Sequence, residues 1–310
     1  MYAAAKTFFY ALSRSTLLKR VASRYGLATG DGFVSRFIAG ETIEAAIDAS
    51  RGLQSQGLLV TLDHLGERVR TTEASTAATR EYVQLMDTVV DAGTERNLSL
   101  KLTQIGIDVD RATCIDNLRR ILEPAARHEF FVRIDMENSP YTEQTIEVFE
   151  TLWEQQYRNL GVALQSYLYR SETDVRRMNE LGARVRLVKG AYTEPSSLAF
   201  QQKPDVDAAF MRLARLLLEK GTYPAIATHD EGIIEEMRAY AAERDLAKDR
   251  FEFQMAYGIR PDLQASLVAA GHRVRVYVPF GREWFPYVMR RLGERPANVG
   301  FVLKARIRGR

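Results

Sequence analysis

Eight short apolar runs, many of them rich in β-branched residues, recur along the chain. They end at Asp63, Thr103, Met136, Gln165, Lys189, Thr228, Met255 and Val278. In the last run, Val274, Val276 and Val278 alternate with charged or aromatic residues, which is the period of a pleated strand. The pattern therefore predicts eight β-strands.

Helical patterns fill most of the gaps between these runs. Asp207–Lys220 carries apolar residues at helical spacing, and Glu231–Arg244 and Thr142–Tyr157 show the same pattern. A further helix is predicted from about Trp284, after the last run. Strand and helix repeated eight times predict an α/β fold in which a parallel sheet closes into a (β/α)8 barrel of the TIM type. An open doubly wound sheet is the alternative, but it leaves eight strands without closure and its glycine fingerprint is absent.

The segment before the first strand has a different character. Residues 1–57 are predicted to form an N-terminal helical arm, and residues 58–310 a barrel catalytic domain with a C-terminal helix and a short basic tail. The arm begins with a basic stretch that contains interleaved apolar residues and no acidic residue before Asp31. Such a segment suits a helix that caps the barrel and also one that contacts an anionic membrane, and both alternatives stay open.

Composition narrows the class of protein. The chain has 310 residues, of which 46% are hydrophobic and 27% charged, the profile of a soluble globular protein with a large core. A net charge of +3 is too small to indicate nucleic-acid binding. The single cysteine, Cys114, excludes an internal disulfide and points to a reducing compartment. No apolar run reaches the roughly 18 residues of a membrane span.

Polar residues mark the ends of the predicted strands, where barrel enzymes carry their reactive groups. They are Asp63, His64, Lys101, Thr103, Gln104, Arg133, Asp135, Gln165, Arg186, Lys189, Thr228, His229, Gln254 and Tyr277. Several interrupt apolar strands, so some are predicted to point into the barrel mouth. Because buried charges need partners, Asp135 is predicted to pair with Lys101 or Arg186. A purely structural polar rim is the alternative.

Other chemistries fit less well. The four histidines lack metal-ligand spacing, and a zinc site would need His64, His229 and a carboxylate, so no metal is predicted. Cys114 lies in a helical stretch without a nearby base and is predicted to pack rather than to act as a nucleophile. What remains is a positively lined cavity, which suits a large anionic cofactor and a small carboxylate substrate.

Two segments contribute to this cavity. On the predicted last helix, one face carries Tyr287, Arg290, Arg291 and Glu294. An adjacent arginine pair makes a planar, bidentate grip for a carboxylate, and a solvated helix face is the alternative. The segment KGAY, Lys189–Tyr192, combines a cation, a glycine and an aromatic ring, which suits a phosphate-bearing aromatic cofactor. Its alternative is an ordinary strand-to-helix turn.

Three motifs together resemble the proline dehydrogenase family, flavin-dependent barrels that oxidise L-proline to Δ1-pyrroline-5-carboxylate. They are YVPFGREWFPYVMRRLGERPAN at Tyr277–Asn298, RLVKGAY at Arg186–Tyr192 and RIDME at Arg133–Glu137. The resemblance extends from about Leu58 to Asn298. It implies FAD as the cofactor, hydride transfer from C5 of L-proline to the flavin N5, and a quinone as electron acceptor, in the first step of proline catabolism to glutamate.

The resemblance also implies roles for individual residues. Asp135 and Arg186 are the expected catalytic residues, Asp135 orienting cationic groups and Arg186 lying near the flavin N5. The residues expected at the substrate, as cations at its carboxylate or rings beside it, are Lys101, Tyr277, Tyr287, Arg290 and Arg291. FAD is expected to contact Met136, Gln165, Arg186, Lys189, Gly190, Ala191, Tyr192, Thr228, His229 and Glu294. Glu67 is expected to pair with Arg290 as a gate.

The chain departs from the family pattern at Gly293, where alanine is usual, but it has all the site residues. No aldehyde dehydrogenase segment follows, so a separate Δ1-pyrroline-5-carboxylate dehydrogenase is expected to perform the second oxidation. A cytoplasmic location is expected, with peripheral contact at the inner face of the membrane as an option. Two rival hypotheses stay open: another flavin or metal barrel enzyme acting on a different small acid, and a non-catalytic barrel that binds an amino acid or a partner.

Overall fold

A closed barrel of eight parallel strands forms the centre of the protein. The computed structural model describes residues 34–294, with side chains through Met289. The strands pair in chain order, and the eighth pairs again with the first. They are β1 (Leu59–His64), β2 (Asn97–Leu100), β3 (Phe131–Ile134), β4 (Leu160–Gln165), β5 (Arg184–Val188), β6 (Ala225–Ala227), β7 (Glu252–Ala256) and β8 (Val274–Phe280). The predicted (β/α)8 barrel is confirmed.

Helices surround this barrel. They are α1 (Ile43–Gln54), α2 (Thr72–Ala92), α3 (Leu102–Ile105), α4 (Arg111–Arg127), α5 (Thr142–Glu154), α6 (Ser171–Leu181), α7 (Lys203–Lys220), α8 (Glu231–Glu243), α9 (Pro261–Ala269) and α10 (Trp284–Glu294). Short 3₁₀ helices cover Val34–Arg36 and Ser139–Tyr141. The three helices predicted between strands are confirmed as α5, α7 and α8. The start of α7 lies four residues before the predicted one, because Pro204 fits a first helical turn, where its missing N–H is not needed.

One strand, β2, ends three residues earlier than predicted. The pattern places an end at Thr103, but β2 ends at Leu100 and the helical turn α3 follows. The backbone N–H and the hydroxyl of Thr103 both donate to the carboxylate of Glu137, which replaces a strand partner for this segment. The other strand ends lie within two residues of the predicted positions.

The two faces of a strand serve different purposes. On β8, Val274, Val276 and Val278 are fully buried as part of the main hydrophobic core. Alternate strand positions point into the barrel, where Arg186 on β5 donates to Gln254 on β7 and to Ser99 on β2. Because β5 and β2 are not neighbours in the sheet, the second bond crosses the interior. The interior therefore contains polar and charged groups where barrels commonly carry branched apolar layers.

A buried ion cluster lies toward the amino-terminal ends of β7 and β8. Arg275 Nε donates to both carboxylate oxygens of Glu252, at 2.9 and 3.1 Å, and its Nη1 donates to Glu95 at 2.8 Å. Burial by itself raises the pKa of Glu252, but the charge and hydrogen bonds of Arg275, together with smaller contributions from Gln254 and Arg133, outweigh it and hold the pKa below its usual value. The cluster therefore keeps a fully buried carboxylate ionised.

The segment 34–41 connects the start of the described chain to its end. The backbone N–H of Gly281 donates to the carbonyl of Gly40 at 2.9 Å, and the indole N–H of Trp284 donates to Glu41 at 2.8 Å. These bonds hold the beginning of α10, while α1 contacts β1 and β8. Much of the predicted arm lies outside the described residues, and its boundary at residue 57 stays a prediction.

Gly161 on β4 is a point of close packing inside the barrel. A Cβ at this position would lie 2.6 Å from the carbonyl oxygen of Arg184 and 2.6 Å from the ring of Phe131. We therefore expect Gly161→Ala to lower the free energy of unfolding by about 1–3 kcal/mol, as overpacking of a core does. Chemical denaturation measures this loss.

Gly52→Ala is the matched control. Nothing lies within 4 Å of a Cβ at Gly52, which is inside α1. Alanine is favoured over glycine in a helix by about 0.5–1 kcal/mol, so this variant should gain stability. If both substitutions have the same effect, the interior around Gly161 is not tightly packed.

Candidate active site

Three strands bring an aspartate, an arginine and a tyrosine together at the carboxyl end of the barrel. Asp135 directly follows β3, Arg186 lies in β5 and Tyr277 lies in β8. Arg186 Nη1 donates to Asp135 Oδ1 at 2.5 Å, and the Tyr277 hydroxyl donates to Asp135 Oδ2 at 2.8 Å. The guanidinium carbon of Arg186 is 5.2 Å from the centre of the Tyr277 ring, within range of a cation–π interaction. Of the two predicted partners of Asp135, the structure pairs it with Arg186.

Lys101 pairs with Asp63, a partner that the sequence analysis did not assign to it. Its Nζ lies 3.2 Å from each carboxylate oxygen of Asp63, and the two side chains are 8% and 0% exposed. Burial by itself lowers the pKa of Lys101, but Asp63 and, more weakly, Asp135 raise it above its usual value. Lys101 is therefore a fixed positive charge at neutral pH and not a base.

Glu137 positions the turn that carries Lys101. Lys101 is the N-cap of α3, and Thr103 in its first turn donates to Glu137 from the backbone N–H at 3.2 Å and from the hydroxyl at 2.8 Å. The carbonyl of Glu137 accepts a bond from Gln165 Nε2 at 2.8 Å. One residue therefore links the ends of β2, β3 and β4. Burial raises the pKa of Glu137, and the two bonds from Thr103 oppose this shift.

The residues after β5 and β6 form a second polar group. Lys189 Nζ donates to Asp207 on α7 at 2.5 Å and to Asp230 before α8 at 3.0 Å. The N–H of Asp230 donates to Thr228 Oγ1 at 3.1 Å. His229 accepts a backbone N–H of β7 through Nε2 at 2.8 Å, which ties the ends of β6 and β7 together. Two carboxylates thus fix the position of the Lys189 ammonium group at the rim of the barrel.

Gly190 lets the chain after β5 run against an aromatic ring. Its φ is +124°, and a Cβ there would lie 2.5 Å from the ring of Tyr167, so a side chain does not fit. Ala191 and Tyr192 follow and are half-buried. Met136, another predicted cofactor contact, is buried just after β3. Tyr192 and the half-buried Glu67 lie close enough to Lys101 to raise its pKa.

The last helix places one predicted substrate residue. α10 begins at Trp284, as predicted, and its buried residues are Trp284, Phe285, Tyr287 and Val288. Tyr287 belongs to a small apolar cluster against which the half-buried Tyr277 packs. The backbone of α10 includes the positions of Arg290, Arg291 and Glu294, whose side chains lie outside the described part of the chain. Their expected contacts, including the Glu67–Arg290 gate, stay predictions.

Four residues of this network are not among the predicted site residues. They are Asp63, Ser99, Glu137 and Gln254. Asp63 and Gln254 carry a sequence signal, because both are polar positions near strand ends. Glu137 lies in the RIDME motif, and Ser99 on β2 precedes Lys101 by two positions, the spacing of residues on one face of an extended chain. The sequence shows these positions but not which residue across the barrel each one meets.

Cys114, which the sequence analysis weighed as a nucleophile, lies in the protein core. Cys114 is fully buried in α4 as part of the main hydrophobic core, as the packing prediction expects, and burial raises the pKa of its thiol to about 12. Between residues 34 and 294, no group of three or more His, Cys, Asp or Glu side chains is placed to hold a metal ion.

A closed parallel barrel with polar and charged side chains gathered at the carboxyl ends of its strands has the architecture of the TIM-barrel enzymes, whose active sites lie at that end. A sequence model of the family described as proline dehydrogenase matches residues 46–304. The chain is 40% identical over 299 residues to proline dehydrogenase 2 of Bacillus subtilis (strain 168). The aligned region covers 96% of this chain and 97% of that protein. It therefore belongs to the proline dehydrogenase family, whose members are oxidoreductases.

Other relatives and solved structures agree. A proline dehydrogenase of Deinococcus radiodurans is 40% identical over 278 residues, covering 88% of this chain and 90% of that one. The crystal structure of proline utilization A from Bdellovibrio bacteriovorus, inactivated by N-propargylglycine, matches with a TM-score of 0.78 at 26% identity over 84% of this chain. The matched region is 32% of that longer protein.

The buried pair of Lys101 and Asp63 is open to a double-mutant cycle. We expect Asp63→Leu and Lys101→Met each to cost about 3–5 kcal/mol of unfolding free energy, because each leaves one buried charge without its partner. The double variant should lose much less than the sum, since both charges are then gone. Chemical denaturation of the four proteins gives the coupling energy.

The same cycle at the exposed pair of Arg51 and Asp48, 3.7 Å apart, provides the control. A solvent-exposed pair should couple by about 1 kcal/mol or less. Additive losses at Lys101 and Asp63 would contradict a direct pairing of their charges.

Proposed function

We propose that this protein is a FAD-dependent proline dehydrogenase that oxidises L-proline to Δ1-pyrroline-5-carboxylate, the first step of proline catabolism to glutamate. The observation that carries the proposal is a set of fixed polar side chains at the carboxyl end of the barrel, in a chain of this family. The set is Lys101, Asp135, Arg186 and Tyr277. It combines charge for an anionic substrate with an aromatic surface for an apolar ring.

The residues at the barrel mouth suit a flavin nucleotide. Arg186 and Lys189 supply positive charge in β5 and directly after it, and the half-buried Ala191 and Tyr192 continue the chain along the barrel mouth. The residues that would hold FAD, without a covalent bond, are Met136, Gln165, Arg186, Lys189, Gly190, Ala191, Tyr192, Thr228, His229 and Glu294. When bound, FAD supplies the hydride acceptor for C5 of proline.

The protein's own contribution is to hold the substrate. The carboxylate of proline binds Lys101, Arg290 and Arg291, and the charge that Asp63 maintains on Lys101 favours this contact. Tyr277 and Tyr287 flank the ring. Positioning of this kind supplies a large share of the rate when a cofactor supplies the chemistry.

Asp135 has a separate task in this proposal. It accepts a hydrogen bond from Arg186 and another from Tyr277. One carboxylate therefore fixes the position of the guanidinium group relative to the aromatic ring. Glu67 closes the site by pairing with Arg290. A cation held beside the reacting centre stabilises negative charge that develops there.

Electrons pass to a membrane quinone in this proposal. None of the helices in the described part of the chain is long and apolar enough to cross a membrane. Peripheral contact of the basic N-terminal arm with the inner face of the membrane would give a cytoplasmic protein access to the quinone. A separate Δ1-pyrroline-5-carboxylate dehydrogenase then uses the product. The bifunctional protein PutA of Escherichia coli (strain K12) is 26% identical over 312 residues, which are 24% of its length.

The purified protein tests the cofactor and the substrate together. We expect it to be yellow and to lose its visible absorbance when L-proline is added without oxygen. Acid precipitation should leave all the colour in the supernatant, since the flavin is not covalently bound. L-alanine is the control and should not bleach the protein. A colourless protein, or equal bleaching by both amino acids, would contradict the proposal.

The arginine pair has its own test. Arg291→Lys keeps the charge but loses the planar fork, and a charge-assisted hydrogen bond contributes about 1.5–3 kcal/mol, so kcat/KM should fall about ten- to a hundredfold. Most of the loss should appear in KM, because the carboxylate is held equally in the ground and transition states. Steady-state kinetics and flavin content measure both.

Arg282→Lys is the control for this variant, since Arg282 is exposed just before α10. It should leave KM unchanged. If Arg291→Lys also leaves KM unchanged, or if it removes the flavin, another group holds the carboxylate.

A further inference from the structure

A chain of buried hydrogen bonds runs through the barrel interior and ends at Arg186. Arg186 Nε donates to Gln254 Oε1 at 2.5 Å, and Gln254 Nε2 donates to Glu252 Oε1. Glu252 accepts bonds from Arg275 in turn. The side chains of the four residues are buried. The chain connects the ion cluster near the amino ends of the strands with the candidate active site at the carboxyl ends.

The chemistry of the two ends determines what the middle residue must be. A guanidinium only donates hydrogen bonds, and an ionised carboxylate only accepts them. A side chain between Arg186 and Glu252 must therefore accept on one side and donate on the other, which an amide does. The pKa of Glu252 is held below its usual value, so the carboxylate stays an acceptor at neutral pH. The orientation of the Gln254 amide follows, with its oxygen toward Arg186.

Gln254 is one of three fixed acceptors around the guanidinium. Arg186 Nη1 donates to Asp135 at 2.5 Å, and Nη2 donates to Ser99 at 2.9 Å. The three acceptors come from different parts of the barrel, β7, the end of β3 and β2. A planar group with an acceptor at each of its three nitrogen atoms has a defined plane. Without the bond at Nε, the group can turn about the axis that its two remaining bonds define.

We propose that Gln254 is a positioning residue that sets the plane and place of the Arg186 guanidinium, with Glu252 anchoring it. The inference rests on the proposed function, in which Arg186 lies beside the flavin. A cation whose place is fixed stabilises the charge of the reduced flavin more than one that moves, because it needs no reorganisation during the reaction. Gln254 itself contacts neither substrate nor cofactor in this proposal.

Gln254→Met tests the inference, because methionine has a similar length but cannot accept from Nε or donate to Glu252. We expect kcat to fall about tenfold with KM for proline nearly unchanged, as for a group that acts only in the transition state. The midpoint potential of the bound flavin should become more negative, and a tenfold change in the equilibrium corresponds to about 30 mV for a two-electron couple. The Nε–H of Arg186 should exchange faster with solvent in the flavin-free protein, seen in arginine-selective ¹⁵N spectra.

Asn117→Leu is the matched control for losing a buried amide. Asn117 on α4 donates to Ser75 at 3.2 Å and to the carbonyl of Ile105 at 3.1 Å, away from Arg186. It should cost stability without changing the potential or the exchange of Arg186 Nε–H. If Gln254→Met does not fold, Gln254→Asn is the second variant. It keeps an amide but is one methylene too short to reach both partners. It should change kcat, the flavin potential and the exchange rate of Arg186 Nε–H in the same directions, by smaller amounts.

Arg186→Lys distinguishes the positioning role of Gln254 from the proposed role of Arg186 at the flavin, and it also assigns the Nε–H signal. If this variant shifts kcat and the potential while the Gln254 variants change neither of these nor the exchange rate, the positioning role is wrong and the proposed function stands. If Arg186→Lys leaves both kcat and the potential unchanged, Arg186 does not act at the flavin and that part of the proposed function fails.

Discussion

Charge inside the barrel must be compensated, and this constraint governs the interior of the protein. An ion buried without a partner costs several kcal/mol. Three buried pairs described above meet the constraint: Arg275 and Glu252 toward the amino ends of the strands, and Arg186 and Asp135 together with Lys101 and Asp63 at the carboxyl ends. Gln254 lies between the first two pairs. The candidate site is therefore the part of this network that lies at the carboxyl ends of the strands.

The alternation of side chains along a strand separates stability from chemistry. The outward residues are apolar and buried against the helices, and burial of this kind contributes about 25 cal/mol for each Å² removed from water. The inward residues are free to be polar because the outer face already supplies the core. A substitution on the outer face should act mainly on folding, and one on the inner face mainly on the position of other polar groups.

The sequence was sufficient to predict the barrel, because its strands and helices repeat with clear periods and one face of each is apolar. It also indicated most of the polar positions at the strand ends. It did not indicate that Lys101 pairs with Asp63, because that pairing depends on sheet register and closure. The early end of β2 was missed for a related reason, since Thr103 turns toward the carboxylate of Glu137, 34 positions away. The roles of Arg290 and Arg291 rest on sequence alone.

The bond between Trp284 and Glu41 joins residues 243 positions apart, and β8 closes the sheet against β1. Closing a loop of that length costs conformational entropy, and contacts of such long sequence separation slow folding. Synthesis proceeds from the amino end, so α10 leaves the ribosome after every strand it rests on. The helix that carries the arginine pair is then held by residues 40 and 41, which precede the first barrel strand and are synthesised before it. A growing chain therefore lacks this helix until all eight barrel strands have been made.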